Sequence, residues 1–123
     1  MKKRIKSVAE RMPEQETCGL VLYGNGKIRI EPTLNMAEDK RNLFQIRPRD
    51  IIDANGLVGI FHSHIESDSR FSEKDILFSE EWGLPFFVFS LLDKKHGVYI
   101  PKNVPKTRKF KNFLKKIKKE YSV

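Results

Sequence analysis

Two histidines and an aspartate stand at a spacing that is typical of a metal site. The chain reads His62-Ser63-His64, and Asp75 follows eleven residues after the second histidine. Residues two apart on an extended backbone point to the same side, so both imidazoles can face one ion. Two imidazoles and a carboxylate suit zinc, although iron and manganese accept the same ligand types. Three protein ligands leave a fourth position for water, as a hydrolase needs, whereas structural zinc sites usually have four.

The elements around these residues should bring them together. A short apolar run, residues 57–61, is expected to be a strand that carries the two histidines at its C-terminal end. The polar segment 63–71 should form a loop. Ser72 is predicted to cap a helix that runs to Trp82, with Asp75 in its first turn. Ser72 and Asp75 would then lie on one face of this helix, near the end of the strand.

The rest of the chain predicts a mixture of strands and helices. Gly24-Asn25-Gly26 indicates a tight hairpin turn, because Asn-Gly tolerates positive φ. Hydrophobic periodicity supplies the other elements. Further strands are predicted at residues 18–23, 27–33, 42–46, 86–92 and 98–100, and helices at residues 3–12, 48–54 and 106–121.

Length and composition indicate a soluble globular protein. The 123 residues suffice for one domain with a hydrophobic core, so we expect a single domain over residues 1–123. No apolar run approaches the roughly 20 residues of a membrane span. The basic N-terminus has no apolar stretch after it, so we expect no secretory signal and a cytoplasmic protein. Cys18 is the one cysteine, which excludes an intrachain disulfide, and it should be a buried core residue.

The net charge of +8 belongs to the C-terminal segment. Residues 102–123 contain nine Lys or Arg and one Glu, whereas residues 1–101 contain fifteen basic and fifteen acidic residues. A basic helix at about 102–123 is therefore expected to pack an apolar stripe on the domain. Its charged face leaves open an anionic partner protein, a nucleic acid or a membrane surface. The stripe comprises Phe110, Phe113, Leu114, Ile117 and Tyr121.

A second motif lies upstream of the histidines. The segment PEQETCGLVLYG carries Glu16 two residues before a Cys-Gly pair. After His64 come seven residues, then Ser72, two residues and Asp75. Together with His62, this arrangement resembles the signature of the JAMM zinc metalloproteases, also called the JAB or MPN-plus family. Two separated motifs in the right order make the resemblance specific.

The resemblance implies a role for each of these residues. His62, His64 and Asp75 would bind one zinc ion. Glu16 would hold the metal-bound water and act as general base, then as proton donor to the leaving amine. Ser72 would hydrogen-bond the developing oxyanion or help to fix the water. The reaction would be hydrolysis of a peptide or isopeptide bond without a covalent intermediate.

The resemblance covers roughly residues 10–101, and the stretch around Asn35 is similar to small prokaryotic and phage members. It implies an α/β (α+β) fold of the cytidine-deaminase type, a curved mixed sheet flanked by helices. Some such members process ubiquitin-like or sulfur-carrier proteins, and others belong to phage tail-assembly proteins, which would make the location tail-associated. Members commonly have proline where this chain has Ile65 and Phe71, which indicates a different active-site loop.

Two other classes of function remain open at this level. A catalytically inactive MPN-fold interaction module typically lacks one or more ligands, whereas every expected position is filled here. A binder of nucleic acid or of another anionic partner would act through the basic C-terminal helix. The body of the chain gives no sign of base recognition, so nucleic acid is not the expected partner.

The remaining side chains with chemical potential are assigned to solvent or to packing. We expect Glu66 and Asp68 to be solvated acids of the loop. His96 follows two lysines and precedes a glycine, which predicts an exposed turn. Trp82 is expected to pack at a helix end, and the aromatic run 86–89 should be core.

Overall fold

A tight hairpin forms one edge of the sheet. In the computed structural model, which describes residues 1–123, β1 (Cys18–Gly24) and β2 (Lys27–Thr33) pair antiparallel through a two-residue turn. Asn25 and Gly26 have φ of 52° and 71°, the positive values that such a turn requires at both positions. The hairpin predicted from the Gly-Asn-Gly sequence is confirmed.

Three further strands complete a mixed sheet of order β2-β1-β3-β4-β5. β3 (Leu57–His64) pairs antiparallel with β1 and parallel with β4 (Phe86–Ser90), and β5 (His96–Tyr99) forms the other edge. β3 and β4 are buried along nearly their whole length, as their apolar sequences indicate. Cys18 is fully buried in β1, where a small core residue was expected.

The strand predicted at residues 42–46 is wrong. These residues belong to an irregular loop, 34–47, whose backbone groups find partners within the loop. The Asn35 amide oxygen accepts from Gln45 N at 3.1 Å, and Met36 N donates to the Gln45 carbonyl at 2.8 Å. Because a side chain of the loop takes the place of a neighbouring strand, no ladder forms here.

Four helices cover the two faces of the sheet, and α1 and α4 lie on the same face. α1 (Lys2–Arg11) and α4 (Arg108–Tyr121) meet where the Lys2 ammonium lies 4.8 Å from the centre of the Tyr121 ring. α2 (Pro48–Ile52) and α3 (Glu73–Trp82) lie on the face that carries the histidines. None of the four helices combines the length and the hydrophobicity that a membrane crossing requires.

The basic helix α4 is a core element. Its cap residue, Thr107, accepts a hydrogen bond from Phe110 N at 3.2 Å. The Phe113 ring is fully buried and lies 5.8 Å from the Tyr23 ring and 6.3 Å from the Phe87 ring. The predicted apolar stripe is therefore confirmed. Four of its residues are buried and Leu114 is half-buried, while the lysines face solvent.

Several boundaries differ from the sequence-based expectations. β3 continues through His64, so the loop that follows it is residues 65–71. β5 begins at His96, and the prediction of an exposed turn there is wrong, because pairing of His96 with Phe89 places its ring 4.7 Å from the phenylalanine ring. Trp82 leaves 47% of its surface exposed and is only partly a packing residue. The core assignment of the aromatic run in β4 is confirmed.

Candidate metal centre

The strand β3 presents two imidazoles to one point. His62 and His64 are 0% and 6% exposed, and their Nε2 atoms lie 3.1 Å apart. This closeness follows from the two-residue period of an extended strand, which turns both side chains to the same side. The expectation from spacing is confirmed, and the histidines lie within the strand rather than after it.

The first turn of α3 brings a carboxylate to the same point. Asp75 Oδ2 lies 3.2 Å from His62 Nε2 and 3.8 Å from His64 Nε2. A capping box fixes this carboxylate: Ser72 Oγ accepts from Asp75 N at 3.1 Å, and Asp75 Oδ2 accepts from Ser72 N at 3.3 Å. The capping box at the predicted helix start therefore also orients the Asp75 carboxylate toward the two histidines.

The donor set fits a tetrahedral metal ion. The three ligand atoms of His62, His64 and Asp75 all lie within 4.8 Å of one another. Ligand atoms about 2.0–2.2 Å from a tetrahedral zinc ion lie roughly 3.3 Å apart, which is close to the distances between these atoms. We refer to the three residues as the metal group.

Tautomer chemistry supports the same conclusion. His64 Nδ1 lies 2.6 Å from the Asp68 carbonyl oxygen, so this nitrogen carries the proton and donates it to the carbonyl. In the neutral ring, the lone pair of His64 Nε2 then faces His62 Nε2 and the Asp75 carboxylate. Acceptors that face one another in a buried site require a shared proton or a cation between them. A carbonyl that orients a ligand histidine through its other nitrogen is a usual support of metal sites.

The charges within the metal group are strongly coupled. Burial opposes ionisation of Asp75, yet its hydrogen bonds to His62 and His64 hold its pKa far below the usual range. Burial lowers the pKa of His62. Burial also disfavours the charged form of His64, but its bonds to Asp75 and to the Asp68 carbonyl outweigh that effect and raise its pKa. The group thus holds one stable negative charge beside two imidazoles.

Glu16 is held beside the metal group by the backbone. The next residue, Thr17, donates from N to Ser63 Oγ at 2.8 Å and accepts from Ser63 N at 2.9 Å. Glu16 N donates to the Lys40 carbonyl at 2.6 Å, and the Asn35 amide donates to the Glu16 carbonyl at 2.9 Å. Contacts on both sides therefore fix this residue between β3 and the loop 34–47.

The carboxyl group of Glu16 is perturbed. The residue is 5% exposed, and no hydrogen bond within the protein reaches its side chain. Burial raises its pKa to about 7; the charge of Asp75 adds to this rise and that of His64 opposes it. A carboxyl with a pKa near neutrality is matched to proton transfer. A bound cation nearby would lower this pKa again.

Ser72 lies at the rim of the site. Its residue is exposed, and its hydroxyl oxygen is engaged as the cap of α3. The hydroxyl proton stays available, because capping uses the oxygen as an acceptor. The oxyanion role that the resemblance implies for Ser72 remains a prediction.

Aromatic packing around His62 was not predicted from the sequence. The Phe44 ring stacks on the His62 ring at 4.5 Å and 20°, and the Phe71 and Phe86 rings approach it edge-on at 6.1 and 6.3 Å. His62 Nδ1 is buried and has no hydrogen-bond partner. The ring is therefore oriented by packing. No periodic signal marks Phe44, because it lies in the irregular loop 34–47.

The loop 65–71 is anchored by hydrogen bonds to the end of β4 and to the segment that follows it. Ser90 Oγ donates to the Ser67 carbonyl at 2.7 Å, and Ser69 N donates to Asp93 Oδ2 at 3.3 Å. The acids of this loop are partly solvated and pair with arginines, Glu66 with Arg41 at 2.6 Å and Asp68 with Arg70 at 2.9 Å. Their assignment as loop acids outside the metal group agrees with the structure.

Solved structures resemble this chain at the level of the fold. The solution structure of a protein from Desulfitobacterium hafniense has a TM-score of 0.57 and 24% sequence identity, covering 80% of this chain and 75% of that chain. The solution structure of a Salinibacter ruber protein has a TM-score of 0.47 and 18% identity, covering 87% of this chain and 89% of that chain. No curated protein sequence matches the chain.

The family is settled by sequence comparison. The family described as prokaryotic homologs of the JAB domain matches residues 1–111. The match includes the whole sheet and all the residues of the two motifs. The mixed sheet flanked by helices agrees with the JAB/MPN-like α+β fold. This chain therefore belongs to the family of prokaryotic homologs of the JAB domain.

Proposed function

We propose that this protein is a zinc-dependent peptidase that hydrolyses a peptide or isopeptide bond. The observation that carries the proposal is the buried metal group, His62, His64 and Asp75, with the perturbed acid Glu16 beside it. Two imidazoles and one carboxylate match the three protein ligands of catalytic zinc sites, which keep one position for water or substrate.

Each residue has a defined part in this chemistry. The metal group would hold the zinc ion, which supplies a Lewis acid and lowers the pKa of a water to roughly 7. Glu16 accepts a proton from the attacking water and returns it to the leaving amine, from a position beside the metal group that its backbone contacts fix. Ser72 donates a hydrogen bond from its hydroxyl to the oxyanion that develops on the substrate carbonyl, or to the attacking water.

A structural role explains the site less well. A purely structural metal site has no need of a fourth ionisable group, and structural zinc is usually closed by four protein ligands. Glu16 is nevertheless largely buried, and its carboxylate oxygens keep contact with solvent. Buried acids of this kind cost folding energy and are concentrated at functional sites. The unfavourable burial of Glu16 therefore supports a catalytic role of the site rather than a purely structural one.

Zinc binding and its effect on cleavage test the proposal together. The protein is stripped with a chelator, and one equivalent of zinc is returned while cleavage of a panel of peptides and isopeptide-linked conjugates is followed. We expect the stripped protein to be inactive and zinc to restore cleavage. His64→Ala should lower zinc affinity by at least about tenfold, because one of three ligands is lost. His96→Ala is the matched control, since His96 lies outside the metal group.

The alternative function predicts the opposite result. An inactive interaction module of the same fold would bind no stoichiometric zinc and would cleave nothing in the panel. Equal zinc affinity of the His64→Ala and His96→Ala proteins would also contradict the proposal, because the metal would then bind elsewhere.

A further inference from the structure

A concave basic surface lies at the end of β3 opposite the metal group. It forms where α1, the β1–β2 turn, the turn before β3 and α4 converge, and it encloses about 730 Å³. The strand runs six residues from Gly56 at this surface to His62, a separation of roughly 20 Å. We name it the basic cleft and define it by Arg4, Asn25, Lys27, Arg29, Asn55 and Lys109.

The cations of the basic cleft have no carboxylate partner in the protein. Four of its lining residues are basic, and no acidic side chain lines it. None of the four takes part in an ion pair, although several surface arginines elsewhere each pair with a carboxylate. Those paired arginines are Arg41, Arg47, Arg49 and Arg70. Uncompensated positive charge around one concavity favours an anion there.

Hydrogen bonds to backbone carbonyl groups connect the elements that form the basic cleft. Tyr23 N donates to the Gly56 carbonyl at 2.8 Å, and Arg4 donates to the Ile28 carbonyl at 3.3 Å. Gly56 has a φ of 83°, and a Cβ at that position would lie 3.2 Å from Lys109 Nζ. Lys109 therefore reaches over the turn before β3. One of the four cations, Arg4, is therefore held in place before a ligand arrives, which reduces the entropy cost of binding.

Two side-chain amides of the basic cleft can also donate hydrogen bonds to a ligand. The side chains of Asn25 and Asn55 line the basic cleft, and neither makes a hydrogen bond within the protein. Their amide groups can donate to oxygen atoms between the charged side chains. Arginine and lysine beside such donors are the groups that recognise phosphate oxygens.

We propose that the basic cleft binds a compact polyanion that carries phosphate groups and has the size of a small molecule. Its volume falls within the roughly 300–1,000 Å³ of small-molecule sites. Single-stranded nucleic acid would require exposed aromatic rings on which bases stack. The aromatic residue at the cleft, Tyr23, is 7% exposed, and its ring packs on Phe113 at 5.8 Å. The site therefore lacks a stacking surface.

Binding of inorganic tripolyphosphate at fixed ionic strength tests this proposal. The Lys27→Gln/Lys109→Gln protein is compared with Lys115→Gln/Lys116→Gln, which removes the same charge from exposed positions outside the cleft. We expect the first double variant to weaken binding by about tenfold or more, because charge-assisted hydrogen bonds are lost. The second should bind as the wild type does. Equal melting temperatures of both variants and the wild type serve as the folding control.

Amide chemical-shift mapping with the same probe locates the site without any substitution. We expect tripolyphosphate to shift the resonances of residues 23–29 and 55–56. Shifts confined to the metal group would overturn the proposal, because the probe would then act as a metal chelator. Equal weakening by the two double variants would overturn it in favour of a general charge effect. Tighter binding of single-stranded oligothymidylate than of tripolyphosphate through Lys27 and Lys109 would overturn it in favour of nucleic acid.

Discussion

At the level of single residues, Glu16 is the carboxyl group of the site whose pKa is raised. Burial raises its pKa from 4.5 to about 7, and no hydrogen bond within the protein compensates its carboxylate. A shift of this size corresponds to about 3 kcal/mol of lost stability when the group is ionised. Residues that weaken a fold in this way are expected at sites selected for chemistry.

The stability of the metal-free protein should depend on pH through Glu16. Well below pH 4.5 the group is protonated in the folded and the unfolded chain, so burial costs little. Between pH 4.5 and about 7 the unfolded chain releases its proton first, and folding stability falls. We expect Glu16→Gln, which is always neutral, to gain about 3 kcal/mol on the wild type between pH 4 and pH 8.

Urea denaturation of both metal-free proteins at the two pH values measures this difference. The wild type at pH 4 is the internal reference, because Glu16 is then mostly protonated in both states. A Glu16→Gln protein that is less stable than the wild type at pH 8 would show that the carboxylate has a favourable partner.

The metal group could be predicted from the sequence because its geometry is local. Alternation along a strand aligns His62 with His64, and the capping pattern places Asp75 in the first turn of a helix. The carbonyl of Asp68 and the ring of Phe44 could not be predicted. Their contacts with the histidines depend on how two irregular loops fold, and no periodic pattern encodes that.

Among the elements, α3 joins helix capping to metal binding. Asp75 Oδ2 accepts from Ser72 N at 3.3 Å and also faces both histidines. The same carboxylate therefore closes the capping box and contributes to the metal group. Disturbing the start of this helix should disturb the site.

Two N-cap substitutions separate this effect from helix stability. Ser72→Ala removes the cap of α3, and Thr107→Ala removes that of α4, where Thr107 accepts from Phe110 N. Both should cost about 1 kcal/mol of unfolding free energy. Only Ser72→Ala should also weaken zinc binding and slow cleavage, as calorimetry and peptide assays would measure. Unchanged zinc affinity in Ser72→Ala would mean that Asp75 is positioned without its cap.

The helix α4 shows what charge patterning can and cannot predict. Its apolar stripe was visible in the sequence, and Phe113 and Ile117 are fully buried as that stripe requires. The lysines gave no indication that Lys109 lies beside a turn of the sheet. Deleting residues 102–123 would remove part of the core. Replacing exposed lysines is therefore the informative way to examine the charge of this helix.

Across the whole molecule, one face of the sheet packs on α4 and the opposite face carries the metal group. Phe87 faces α4, with its ring 5.5 Å from that of Tyr121, while its neighbour Phe86 faces the side of the metal group. This division follows from strand alternation, so the order and type of most elements could be predicted. A strand at 42–46 could not be excluded from sequence. The conformation of these residues depends on Asn35, whose side-chain amide makes hydrogen bonds with the backbone of Leu43 and Gln45.

Metal binding should stabilise the whole fold. An ion that binds only the folded chain contributes about 2.7 kcal/mol when its free concentration is 100 times its dissociation constant. For a chain of this length, the melting temperature should rise on the order of 10 °C with saturating zinc, as calorimetry would measure. An equal melting temperature with zinc and with a chelator would contradict a metal site in the folded protein.

The most direct test of the central claim is the cleavage rate of Glu16→Gln at the same zinc occupancy as the wild type. The substitution leaves the three metal ligands in place and removes the proposed proton acceptor. We predict equal zinc content and a rate that is lower on the order of 10²- to 10⁴-fold. A Glu16→Gln protein that holds one zinc ion and cleaves as fast as the wild type would contradict the account.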